Sequence, residues 1–119
     1  MQKYVSVIKG DHSISVCLYI EEEKLMHIGE KMEKINPDAY MNGYNWEAFL
    51  NYYLKKYEPD LLDGMKTDPE AGMYCAYYDY SKENEQKADR FARLLEKLVE
   101  GEDELYRIVR DEGNEIEWD

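Results

Sequence analysis

No run in the chain approaches the roughly 18 consecutive apolar residues that a membrane helix requires, so no membrane span is expected. The stretch from Met1 to Ile8 has one lysine and no apolar core, and it is not read as a signal peptide. Histidine is scarce. His12 and His27 do not stand at i, i+4, and neither C-x-x-C nor H-E-x-x-H occurs, so no metal or other cofactor is expected. The chain also lacks G-x-S-x-G, a Walker loop and G-x-G-x-x-G, which leaves esterase, P-loop and dinucleotide-binding readings without support.

Cysteine is limited to Cys17 and Cys75, each inside a strand-like run. Free buried thiols in a reducing, cytoplasmic compartment are the expectation. A disulfide would need Cα atoms within about 7 Å, which sequence spacing does not show. Positive charge is short as well. Fifteen Lys and Arg face 27 Asp and Glu, for a net charge of -12. Such a balance repels nucleic acid and anionic membrane and attracts basic partners, although solubility alone explains it equally well.

A length of 119 residues suits one domain with one core, expected to span 1–119. Tyr4 to Ile8 reads as a strand and Gly10-Asp11 as a hairpin turn. Ile14, Val16, Leu18 and Ile20 then alternate with Ser13, Ser15, Cys17 and Tyr19, placing the first set in a core and the second on a wetter face. A helix is predicted from Glu21 to Ile35, with Leu25, Ile28, Met32 and Ile35 as its stripe, ended by Asn36-Pro37.

The central helix is predicted over 45–57. Asn42-Gly43 reads as a turn, Asn45 as the N-cap, and Glu47 as a first-turn acid favoured by the helix dipole. Trp46, Phe49, Leu50, Tyr53, Leu54 and Tyr57 share one face, which puts Trp46 in the core. A helical turn at Leu61-Leu62 and a type I turn at Asp68-Pro69-Glu70-Ala71 follow, and Gly72 leads into a strand from Met73 to Tyr80. Ser81 caps a last long helix that Gly101 ends, with a short helix over 104–110 beyond it. The acidic tail, 111–119, is expected to fray. The predicted fold is α+β: a two-layer sandwich of order β-β-α-α-β-α-α, its small, mostly antiparallel sheet formed by the N-terminal hairpin plus one later strand and covered by helices.

Carboxylates are plentiful enough to supply an acid and a base, but in so acidic a chain they read as solvated or capping groups, and no catalytic residue is assigned. Tyrosine is the unusual abundance, with twelve in the chain. Tyr40, Tyr44, Tyr52, Tyr74, Tyr78 and Tyr80 cannot all fill one small core. They are either anchors of a protein-binding surface or rings at the core's edge with hydroxyls in water.

At Asn42-Gly43-Tyr44-Asn45-Trp46-Glu47, and again at Asp68-Pro69-Glu70-Ala71-Gly72-Met73 with Ala76-Tyr77, the chain resembles immunity protein family 51 of the bacterial polymorphic toxin systems. That family has a similar N-G-Y-[DN]-W-E segment opening a helix, then a D-P-E-A-G-M segment leading into a strand. The resemblance runs from the N-terminal hairpin through the last long helix. It implies binding and neutralisation of a cognate toxin domain, by association and without enzymatic activity. A nuclease toxin with a basic cleft would suit the charge of -12. The expected contact surface is the loop before the third strand and the end of that strand: Asp63, Asp68, Glu70, Tyr78, Asp79 and Tyr80. Asn42, Gly43, Asn45, Trp46, Pro69 and Gly72 are assigned to structure. A small acidic adaptor or regulatory domain without a toxin is the alternative, and an exposed tyrosine-rich strand serves a homodimer equally well.

Overall fold

Why the hairpin needs a partner is plain from its alternation, and the computed structural model, which describes residues 1–119, shows what covers it. Strands β1 (Val5–Lys9) and β2 (Ser13–Tyr19) pair antiparallel, with Val5 opposite Leu18 and Val7 opposite Val16. Strand β4 (Met73–Asp79) pairs with the other side of β2, placing Ile14 opposite Tyr78 and Val16 opposite Ala76. A two-residue strand, β3 (Lys66–Thr67), adds an edge that the sequence does not announce. The sheet order is β1-β2-β4-β3, antiparallel throughout.

Five helices complete the α+β sandwich: α1 (Glu23–Ile35), α2 (Gly43–Tyr57), α3 (Pro59–Leu62), α4 (Lys82–Glu100) and α5 (Glu102–Glu112). Ile14, Val16, Leu18 and Ile20 are buried, as their parity predicts. They join Trp46, Phe49, Leu50 and Leu54 of α2 and Phe91, Ala92 and Leu95 of α4 in one cluster of 28 buried residues. Ser81 caps α4 by accepting from the Asn84 N–H at 3.0 Å. The basic residues of α4 reach other elements: Lys87 donates to the Asp63 carbonyl and Arg90 reaches Asp60 at 2.8 Å.

The two cysteines depart from expectation. Cys17 and Cys75 face each other across β2 and β4, with Cα atoms 4.2 Å apart, and form a disulfide. Only the pairing register, which brings together residues 58 apart, makes this bond available.

The tail is also not frayed. A 3-10 turn, Gly113–Glu115, follows α5, and Ile116 is buried in the core. Trp118 donates its indole N–H to the Gly113 carbonyl at 3.1 Å. Glu112 anchors the segment. Its carboxylate accepts from Tyr52 at 2.5 Å, Lys56 at 2.7 Å, Tyr57 at 2.9 Å and Arg107 at 3.1 Å. The Lys56 bond, then the Tyr52 bond, hold its pKa down at about 2 against the opposing effect of burial. Four converging donors make the carboxylate a clasp between α2 and α5.

Candidate functional site

The two sequence motifs meet at one joint. Gly43 is the first residue of α2, and its N–H donates to the Ala71 carbonyl at 3.0 Å. A Cβ at Gly43 would overlap the carbonyl oxygens of Glu70 and Met73 and lie 2.9 Å from the Glu70 carbonyl carbon. Gly43 is therefore needed for close approach of helix to turn, not for a positive φ, since only Gly64 has one. Asn42, expected in a turn, is the N-cap: its Oδ1 accepts from the Asn45 N–H at 2.9 Å.

Asn45 is thereby released from capping and is buried. Its amide donates to the Tyr40 carbonyl at 2.8 Å, and its Oδ1 accepts from the Asp119 N–H at 2.7 Å. Glu47 lies beyond the first turn and accepts from the Thr67 hydroxyl at 2.6 Å, tying α2 to the sheet edge. Trp46 is buried, as expected.

The second motif also turns later than its sequence suggests. The tight turn is Glu70-Ala71-Gly72-Met73, with Glu70 donating to the Met73 carbonyl at 2.7 Å. Asp68 donates to Cys75 at 2.8 Å, so Asp68 and Glu70 both point their N–H groups at β4. Pro69 between them occupies the alternate position, which faces away from the ladder and needs no donor.

The expected contact residues do not form one patch. Asp63, Asp79 and Tyr80 lie at the hairpin-turn end of the sheet, where Tyr80 donates its N–H to the His12 carbonyl and Lys66 bridges to Asp79 at 3.3 Å. Asp68 and Glu70 lie toward the other end of β4, which is roughly 20 Å long at about 3.4 Å per residue. Tyr78 leaves the surface altogether. It is fully buried, pointing inward with Tyr74 and Ala76, and its hydroxyl donates to the Leu61 carbonyl at 2.5 Å.

Two hollows flank the Glu70–Met73 turn. One, of about 420 Å3, lies between α1 and the segment leading into α2; Ile20 and Met41 line it together with Met26, Tyr40, Glu30 and Glu33. The other, of about 570 Å3, is bounded by Tyr19, Glu22, Glu70 and Met73. Glu21 and Gly72 belong to both. No Lys or Arg lines either one.

Elsewhere nine of the fifteen basic side chains are drawn into ion pairs. Several of these pairs join α1, α2 and α5, as when Lys24 and Lys31 both reach Glu102. Residue reading missed Met26, Glu30 and Glu33, although their i, i+4, i+7 spacing places them on one stripe of α1. The apolar stripe of the same helix dominated its pattern.

No helix is long and apolar enough to cross a membrane. No group of three or more His, Cys, Asp or Glu side chains is arranged to hold a metal ion. Residues 5–114 match a family model described as Immunity protein 51. No curated protein and no solved structure matches the chain.

Proposed function

The chain belongs to the immunity protein 51 family, and from that premise we propose that it neutralises a cognate toxin domain by stoichiometric association, with no turnover of its own. The observation that carries this reading is the family match over nearly the whole chain. The charge supports it physically. A protein of net charge -12 is steered toward a basic partner, and complementary charge raises the association rate more than it raises affinity. A nuclease domain, whose cleft must hold a polyanion, is the toxin class this charge suits best.

Of the two ends of the sheet, we take the Glu70 end as the contact surface. There the carboxylates lack basic neighbours, while Asp63 and Asp79 are already close to Lys87 and Lys66.

The test is co-expression with the product of the adjacent gene, the candidate toxin. A one-to-one complex on size exclusion, with growth restored in toxin-expressing cells, is expected. A chain that neither binds nor protects against that domain overturns the reading and favours a toxin-independent adaptor.

A further inference from the structure

We infer that the groove between α1 and the Glu70–Met73 turn is the seat of an arginine- or lysine-bearing segment of the toxin. This rests on the toxin-binding reading and specifies its chemistry. The groove combines two features. Its apolar surface is open to solvent, with Met26 52% and Tyr40 62% exposed. Its rim carries Glu21, Glu30 and Glu33, none of which pairs with a base or accepts a side-chain hydrogen bond within the chain.

Met26, Tyr40 and Met41 lie together as an apolar surface that a partner's apolar atoms can cover, and a rim of like charge disfavours acidic partners. A long basic side chain satisfies both demands. Its methylene stem lies on Met26 and Met41, and its cation reaches the carboxylates. Arginine has the further advantage of stacking on the Tyr40 ring. The volume of about 420 Å3 fits one or two side chains rather than a whole helix.

The floor of the groove is built, not incidental. Gly29 is buried, and a Cβ there would lie 3.1 Å from the Met41 Cβ, so the glycine lets the Met41 segment settle against α1. Asn45 then holds the Tyr40 carbonyl at 2.8 Å and fixes the segment that carries Tyr40. The contact surface is thus pre-organised by the helix-opening motif, although none of its recognising carboxylates belongs to that motif.

The experiment titrates the candidate toxin domain from the adjacent gene against wild type, an E21Q/E30Q/E33Q triple variant, Y40A and a D63N/D79N control, at two salt concentrations. All substituted side chains are at the surface, and circular dichroism and a thermal melt confirm that each variant folds. The triple variant is expected to raise Kd about tenfold or more and to flatten its salt dependence. Y40A is expected to raise Kd with the salt dependence unchanged. The control is expected to stay within about twofold of wild type. If wild type binds and protects while the triple variant does so equally well, the groove is refuted and the immunity reading stands. A control that weakens binding as much as the triple variant also refutes it, by moving the contact to the other end of the sheet. If wild type does not bind, the immunity reading falls, and the groove assignment with it.

Discussion

Gly43→Ala sets two effects of opposite sign against each other. Helix propensity favours alanine over glycine by up to about 1 kcal/mol inside a helix, and by less at a first position. Steric fit opposes it. The new methyl would overlap two backbone carbonyl oxygens, of Glu70 and Met73, which cannot swing away as a side chain can. Relief requires the start of α2 to back off the turn by more than about 1 Å, given ordinary carbon contacts of about 3.5 Å. That movement breaks the Gly43 N–H bond to the Ala71 carbonyl, worth roughly 1 kcal/mol net, and opens packing around Trp46. Overpacking of a closed contact adds about 1 to 3 kcal/mol. The expected loss is therefore roughly 2 kcal/mol after the propensity gain, a substantial part of the 5–15 kcal/mol typical of a domain. At about 4 °C per kcal/mol for a chain of this size, Tm should fall by about 8 °C. Urea unfolding followed by circular dichroism measures the free energy, and a thermal melt measures the Tm. Gly72→Ala is the control. Its Cβ would meet the Glu21 carboxyl at 2.8 Å, and that group is the end of a flexible, exposed side chain. A loss below about 1 kcal/mol is expected there. A Gly43→Ala protein as stable as the Gly72→Ala protein would refute the close-approach argument.

Three further outcomes follow from the same geometry. Asn45→Ala removes the donor to Tyr40 and the acceptor for Asp119 in a buried setting, and should cost about 2 kcal/mol with faster amide exchange at Asp119; unchanged stability would mean those bonds are replaced by water. Glu112 has a folded pKa near 2, below its ordinary 4.5, so its contribution is fully present above pH 4.5 and is lost as pH falls toward 2. Urea midpoints should decline less steeply over that range in Glu112→Gln, which starts lower at pH 7, and parallel declines would refute the clasp. Reduction of Cys17–Cys75 frees a 58-residue loop and should lower stability by up to about 4 kcal/mol, while an unchanged urea midpoint in dithiothreitol would show that the thiols are not bonded.

Where a segment's own period decided its structure, the sequence was legible. Ile14, Val16, Leu18 and Ile20 occupy the core because strict alternation allows no other half-buried strand, and Ser81 caps α4 because its hydroxyl stands directly before the helix. Legibility failed where distant chain decides between local equals. Asn42 and Asn45 are equally good caps by chemistry. Docking of Gly43 onto the Ala71 carbonyl starts the helix early and leaves Asn45 inside it. In β4 tyrosines occur at both parities, so only the register with β2 shows that Tyr78 points inward and Tyr77 outward. Strand β3 is two residues long and carries no period at all. Glu112 and the tail become ordered through Tyr52, Lys56 and Tyr57, some 60 residues earlier in the chain.

The same contrast separates the residues of the joint from those of the proposed groove. Gly43, Asn45 and Trp46 are buried or wedged at the joint, and each has a geometric reason to be the residue it is. Such positions report the fold, because changing them changes how α2 meets the sheet. Glu21, Glu30, Glu33 and Tyr40 have no such constraint: they are exposed and bonded to no side chain in the fold. Their substitution should leave stability within about 0.5 kcal/mol while altering what the groove accepts. A scaffold arranged this way can hold its joint fixed and change the charge around it to suit a different toxin. Exchanging the three glutamates for lysine should therefore produce a folded protein that no longer protects against its own toxin, and a partial return of protection on raising the salt would mark the loss as electrostatic.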